Sequence, residues 1–177
     1  MLRKLVFAAL LVPAVAFAKD GDRSSPPKQT KTTTTCKAGQ VWDKNSKSCI
    51  NAQSGLLDSD TLYEAVRELA YNGQLEDAQT VLSAMSDQSD HRVLTYWGFT
   101  HRKLGDMELG MSFYKQALEA KPDSILARSY MGQAMVELGD YSGAKEQLME
   151  IRKSGGIGTW AETSLAQAIK SGKTYNY

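Results

Sequence analysis

Apolar residues recur at intervals of three and four positions from Leu57 onward, the spacing that places them on one face of an α-helix. Short polar breaks interrupt this pattern. In the stretch KLGDMELGMSFYKQALEAKP the break is Gly105-Asp106, where glycine is suited to end one helix and aspartate to cap the next. Similar breaks occur at Gly73 and Gly139. The pattern therefore predicts three pairs of helices, each joined by a tight turn.

The three breaks are regularly spaced, since successive glycines are 32 and 34 residues apart. The residues five positions after each glycine are small, and those nine positions after it are large and apolar. The small residues are Ala78, Gly110 and Ala144, and the large ones are Leu82, Tyr114 and Leu148. Such self-similarity is the signature of a repeat array, in which each unit buries its apolar face against its neighbours.

Gly98 and Gly132 stand inside the first helices predicted for the second and third units. A glycine in a helix interior costs about 1 kcal/mol relative to alanine. We expect this cost where two helix backbones approach too closely to leave room for a larger side chain. Small residues of the second helix, such as Gly110, are expected to serve the same contact.

The middle unit carries a recognisable set of residues. They are Trp97-Gly98 in its first helix, Gly105-Asp106 in its turn, and Tyr114, Ala117 and Pro122 after it. In these positions the unit resembles the tetratricopeptide repeat (TPR). The resemblance implies an all-α domain over residues 57–177, a TPR-like α-solenoid of three helical hairpins. Their boundaries are expected at residues 59–90, 91–124 and 125–158.

A further helix is predicted after the third unit, over residues 159–171. Thr159 and Glu162 match the capping-box pattern, and Gly172 stands where a helix C-terminal glycine belongs. We expect this helix to cap the array. The aromatic tail KTYNY follows, and two alternatives stay open for it: fraying, or packing of its tyrosines on a nearby groove.

The N-terminal 18 residues, MLRKLVFAALLVPAVAFA, have a basic start, an apolar centre and an Ala-x-Ala end. This pattern predicts a secretory signal peptide cleaved before Lys19. Its apolar centre is too short to span a bilayer comfortably. We therefore expect a periplasmic or secreted protein without stable membrane insertion after cleavage. Residues 19–35 lack any large apolar side chain, which predicts a flexible linker.

The only two cysteines are Cys36 and Cys49. In an oxidising compartment an isolated pair is most simply one disulfide. Residues 36–50 are therefore predicted to form a small disulfide-closed β-hairpin. Its Cys-x-x-Gly-x-Val-Trp-Asp pattern resembles short cysteine hairpins of secreted proteins, including chitin-binding modules. Trp42 has two interpretations: it packs over its own disulfide, or it presents a flat face to a sugar or protein partner.

Charge and motifs argue against several functions. The formal net charge of +1 does not predict a nucleic-acid ligand. Ser142-x-x-Lys145 spells a serine acyl-enzyme motif without its companion motifs. His91 and His101 are ten residues apart, and His101 is expected to be buried and hydrogen-bonded rather than catalytic. We therefore predict no enzyme activity, no cofactor and no metal site.

The TPR resemblance implies that the first helix of each unit lines a concave face. The side chains expected there are Tyr63, Arg67, Tyr71, Arg92, Phe99, Arg102, Lys103 and Gln133. We expect them to be free of the inter-helix core and available to a ligand. Four cations among three aromatic rings suit an extended peptide that carries carboxylates. The alternative is a solvated face whose arginine stems cover apolar surface.

These features together predict a non-enzymatic protein–protein interaction scaffold in the cell envelope, which binds a protein or peptide segment in the concave groove. One alternative is an accessory protein that binds peptidoglycan or another cell-wall carbohydrate through the hairpin and Trp42. Another is a self-assembling homo-oligomer in which the tail, residues 175–177, docks on a neighbouring copy.

Overall fold

The computed structural model describes residues 26–175, which contain eight α-helices and one two-stranded antiparallel sheet. Two further tail residues and the predicted signal peptide, residues 1–18, lie outside the described residues. The elements are α1 (Lys31–Thr34), β1 (Gln40–Asp43), β2 (Ser48–Asn51), α2 (Ser59–Tyr71), α3 (Leu75–Ser83), α4 (His91–Lys103), α5 (Met107–Ala120), α6 (Ile125–Glu137), α7 (Tyr141–Lys153) and α8 (Trp160–Ser171). The predicted mostly helical fold with one β-hairpin is confirmed.

Local sequence signals set most helix boundaries. The N-terminal caps of six helices are Asp58, Asp90, Asp106, Ser124, Asp140 and Thr159, whose side chains accept hydrogen bonds from first-turn amides. The predicted break at Gly105 has a φ of 97°, a left-handed conformation that glycine adopts without steric cost. Gly73 and Gly139 take the same conformation directly after α2 and α6.

The helices pack in sequential pairs: α2 with α3, α4 with α5, and α6 with α7. The first helices of successive pairs also touch, since α2 contacts α4 and α4 contacts α6, while α8 lies against α6 and α7. The largest buried apolar cluster runs from the β-hairpin through α2 to α6, and a second cluster joins α6, α7 and α8. Within residues 26–175, no helix combines the length and apolar character that crossing a membrane requires.

The contact between α4 and α5 is close because Gly98 and Gly110 face it. A Cβ atom on Gly98 would lie 2.6 Å from the ring of Tyr114 and 3.0 Å from the backbone oxygen of Gly110. Both distances are shorter than the 3.4–4 Å of an ordinary van der Waals contact. The expected role of these glycines in a close helix approach is therefore observed at this pair.

Replacing Gly98 by alanine is expected to lower the free energy of unfolding by about 1–2 kcal/mol, because overpacking outweighs the gain in helix propensity. Urea unfolding followed by circular dichroism measures this difference. Ser112→Ala, at an exposed position of α5, serves as the control and should change stability by less than about 0.5 kcal/mol. A Gly98→Ala protein as stable as the wild type would contradict the close approach.

The β-hairpin is closed by a disulfide between Cys36 and Cys49, as predicted. Its strands pair in a register that sets Trp42 opposite Cys49. Val41, which precedes Trp42 on β1, is 1% exposed and belongs to the same apolar cluster as Leu62 and Val66 of α2. The hairpin therefore covers one side of α2 and shares the main core.

The segment before the hairpin differs from its prediction as a flexible linker. Thr30 and Thr33 donate through their backbone amides and hydroxyls to the carboxylate of Glu68, at 2.6–3.3 Å. Thr30 also caps the short helix α1. The linker prediction is wrong for residues 30–34 because it considered only apolar burial, whereas a buried carboxylate of α2 orders this segment by hydrogen bonding.

Candidate functional site

The eight side chains predicted to line a concave face lie on three neighbouring helices. Tyr63, Arg67 and Tyr71 are on α2, Arg92, Phe99, Arg102 and Lys103 are on α4, and Gln133 is on α6. Only Tyr71, Arg92 and Lys103 keep substantial exposure. The expectation that all eight are available to a ligand is wrong for Tyr63, Arg67, Phe99, Arg102 and Gln133, each at most 3% exposed.

The buried aromatic residues belong to one cluster between α2, α4 and α6. The ring of Tyr96 packs edge-on against Tyr63 and Tyr130, with centroids 5.7 and 6.1 Å apart, and Phe99 lies 4.9 Å from Tyr130. Because the first helices of successive pairs touch, rings on this face fill the space between them. These rings stabilise the packing.

The cations around this cluster are largely neutralised within the chain. Arg67 pairs with Glu64 at 3.0 Å, and Arg92 pairs with Asp90 at 2.8 Å and with Asp60 at 3.2 Å. The hydrogen bonds that the Arg92 guanidinium donates to Asp90 raise the pKa of Arg92 above its usual range. The guanidinium of Arg92 also lies 4.9 Å from the centre of the Tyr63 ring. A strongly basic groove is therefore not observed.

A second group of polar side chains lies where α4 and α6 end. Arg102 donates through Nη1 to the backbone oxygen of Tyr130 at 3.2 Å, and its Nε lies 3.9 Å from the carboxylate of Glu137. Lys103 lies beside Phe99, with Nζ 6.0 Å from the ring centre. Burial, and next the charge of Arg102, lower the pKa of Lys103, while Glu137 opposes this shift.

Several donors in this region are buried without a hydrogen-bond partner among residues 26–175. They are Nε and Nη2 of Arg102, Nε2 of Gln133 and the hydroxyl of Tyr114. A buried donor left unpaired costs about 1–3 kcal/mol. This part of the molecule is therefore rich in donors that an acceptor group would stabilise.

The C-terminal tail reaches the same region. The backbone amide of Tyr175 donates to Oε1 of Gln133 at 2.8 Å, and the hydroxyl of Thr174 donates to the carboxylate of Glu137. The ring of Tyr175 packs edge-on against Trp160 of α8, with centroids 6.0 Å apart. Of the two alternatives for the tail, packing is thus observed for Tyr175.

Trp42 lies at the edge of a cavity that sequence reasoning missed. The cavity has a volume of about 540 Å³ and lies between residues 26–32, residues 41–45 and residues 58–68. The ammonium of Lys31 lies over the Trp42 ring, 4.3 Å from its centre. The cavity could not be predicted because three separate segments of the chain form its walls. The only residues that could have indicated it in the sequence are the proline pair and the carboxylates at the start of α2.

The weak catalytic motifs gain no support from their surroundings. Ser142 and Lys145 are exposed on the first turns of α7. His101 is half-buried and stacks on Trp97 and Phe113, with centroids 5.7 and 5.5 Å away. No group of three or more histidine, cysteine, aspartate or glutamate residues within residues 26–175 is placed to hold a metal ion.

Comparison with known proteins identifies no relative. No protein-family model, no curated protein sequence and no solved structure matches this chain. The TPR resemblance therefore depends on the repeated residues of the sequence, and it stays a prediction.

Proposed function

We propose that the chain is a TPR-like α-solenoid and a non-enzymatic scaffold for protein–protein interaction, which binds an extended partner segment on the face of α4, α6 and α8. Two features support the solenoid. Three sequential helix pairs follow one another, and the first helix of each pair touches the first helix of the next. Repeat arrays make contacts of this nearest-neighbour kind.

The observation that carries the proposed function is the binding of the tail by Gln133 and Glu137. Gln133 was predicted to line the groove, and its side-chain oxygen accepts a backbone N–H of Tyr175. This hydrogen bond uses a main-chain amide, so it does not depend on which side chain the bound residue carries. A partner segment in an extended conformation can therefore use the same acceptor after displacing the tail.

The chemistry of the partner follows from the groups beside the tail. Arg102 and Gln133 have buried donors without partners among the described residues. Lys103 follows Arg102 on α4. The side chains of Arg102 and Gln133 are at most 3% exposed in the tail-bound structure, so a carboxylate or a backbone carbonyl of the partner would accept from these donors after it displaces the tail. Charge-assisted bonds are the stronger ones. We therefore propose a protein or peptide with acidic groups as the partner.

The proposed location is the cell envelope, either the periplasm or the cell exterior. The Cys36–Cys49 disulfide is compatible with such an oxidising compartment. The signal-peptide pattern of residues 1–18 points in the same direction. Carbohydrate binding through Trp42 and self-assembly through the tail stay predictions.

Replacing Gln133 by leucine is expected to weaken partner binding about three- to tenfold, because one hydrogen-bond acceptor of the face is lost. Affinity capture from envelope extracts with quantitative mass spectrometry identifies the partner, and calorimetry with the purified partner measures its affinity. Gln116→Leu, on the exposed side of α5, is the matched control and should leave the affinity unchanged.

Two results would count against this proposal. One is a partner whose affinity is equal for the wild type and the Gln133→Leu protein. The other is capture that Trp42→Ala abolishes while Gln133→Leu leaves it intact, since this outcome would place recognition at the hairpin instead.

A further inference from the structure

We propose that the cavity beside Trp42 is a binding site for an alkylammonium group, supplied by a lysine side chain of a peptide or by a free amine. This site differs from the peptide-binding face in place and in preferred charge. The inference therefore does not depend on the proposed function.

The cavity is large enough to be a ligand site. Its volume of about 540 Å³ falls within the range of about 300–1,000 Å³ that is usual for small-molecule sites. Pro26 and Pro27 form one wall, the hairpin with Trp42 forms the second, and the start of α2 forms the third. An extended alkyl chain can enter between the prolines and the indole and carry its charge to the polar wall.

The charge of the walls favours a cation. Five carboxylates and three cationic side chains line the cavity, and the carboxylates are those of Asp43, Asp58, Asp60, Glu64 and Glu68. Glu68 accepts hydrogen bonds from threonine donors, and Glu64 pairs with Arg67. Asp60 pairs with Arg92 at 3.2 Å, but its side chain is 75% exposed and can accept a further donor. A cleft lined by an excess of one charge focuses its field on ions of the opposite sign.

Two of the lining carboxylates, those of Asp43 and Asp58, stay ionised at neutral pH. Hydrogen bonds from Ser46 lower the pKa of Asp43, and hydrogen bonds from Thr61 lower the pKa of Asp58. Both carboxylates line the cavity. A ligand ammonium in the cavity would therefore meet ionised carboxylates.

The indole of Trp42 already binds an ammonium group within the chain. Nζ of Lys31 is 4.3 Å from the ring centre, within the usual range of a cation–π contact. Lys31 is otherwise exposed and does not line the cavity. It therefore marks the chemistry of the indole and leaves the cavity itself open to an external amine.

The test follows the indole N–H resonance of Trp42 in the mature chain by NMR, assigned with a Trp42→Phe variant. The probes are a blocked Gly-Lys-Gly peptide and cadaverine, and the matched control is Gly-Glu-Gly. We expect the lysine peptide or the diamine to shift this resonance in a saturable way. The relative affinity of the two probes shows whether a peptide or a free amine is the better source of the ammonium group.

Two sets of variants separate a site from general attraction. Asp58→Asn with Asp60→Asn should weaken binding about tenfold, since asparagine keeps the helix cap but removes both charges. Glu108→Gln with Glu119→Gln, at exposed positions of α5, should leave it unchanged. Lys31→Gln and Lys37→Gln each remove one charge outside the cavity lining, and they should change binding to the same small extent.

The proposal is overturned if neither amine shifts the Trp42 resonance at millimolar concentration, or if the glutamate peptide shifts it equally. It is also overturned if both acidic double variants weaken binding to the same extent. That last result would show attraction to the overall charge of the protein and no defined site.

Discussion

Replacing Tyr114 by alanine is expected to lower the free energy of unfolding by about 3–5 kcal/mol, the usual cost of removing a large buried aromatic ring. Tyr114 lies on α5 and is fully buried. Its ring occupies the space that the absent side chain of Gly98 leaves open on α4. Because two rigid helix backbones bound this space, we expect little collapse into the cavity.

Tyr114→Phe separates the ring from its hydroxyl. Burial raises the pKa of this hydroxyl well above its usual range, and within residues 26–175 the hydroxyl has no hydrogen-bond partner. Removing it should therefore change stability by less than about 1 kcal/mol in either direction. Urea unfolding of the two variants measures both effects. A phenylalanine variant that loses half as much as the alanine variant would show that the hydroxyl has a stabilising partner.

The helix boundaries were predictable because their causes are local. Gly105 ends α4 and Asp106 caps α5, and neighbouring residues determine both effects. The close approach at Gly98 was also predictable, since a helix-interior glycine has a cost that needs a compensating contact. Likewise, two cysteines in a chain with a signal-peptide pattern suffice to predict the disulfide.

The burial of side chains in the predicted groove could not be predicted from local sequence. Arg67 and Phe99 occupy positions that the TPR resemblance assigns to a ligand face, yet both are buried. Their burial depends on how closely α2, α4 and α6 approach, which is a long-range property. Periodicity identifies the two faces of a helix, but it does not determine how far a neighbouring helix extends over one of them.

Two contacts near the ends of the described residues also could not be predicted from local sequence. Thr30 binds Glu68 across 38 positions, and Tyr175 binds Gln133 across 42 positions. Each uses polar groups that carry no apolar pattern. The first segment was predicted to be a flexible linker because threonine runs bury little apolar surface. Threonine hydroxyls can nevertheless donate hydrogen bonds to a buried carboxylate.

The two proposed sites offer different binding groups to a partner. The face at Gln133 and Arg102 offers buried donors, and the cavity beside Trp42 offers carboxylates and an indole. A partner with acidic and basic segments can use both, which would raise its overall affinity through linked binding. A partner with one segment would use one site, and the variants at Gln133 and Asp58 distinguish these cases.

Removing the disulfide by Cys36→Ser with Cys49→Ser is expected to lower stability by about 3 kcal/mol, because the closed loop of this length no longer restricts the unfolded chain. The loss should reach the helices, since Val41 and Ala52 belong to the core cluster that includes α2. Thermal unfolding measures the total effect. Amide hydrogen exchange of β1, β2 and α2 shows where protection is lost.

Reduction of the wild type provides the matched control, because Cys36–Cys49 is the only disulfide that the sequence allows. Dithiothreitol should lower the melting temperature of the wild type to that of the serine variant, and it should leave the serine variant unchanged. If exchange rises in β1 and β2 while α2 keeps its full protection, the hairpin is an independent attachment. The shared core would predict instead that α2 loses protection together with the hairpin, because Val41 then no longer covers Leu62 and Val66.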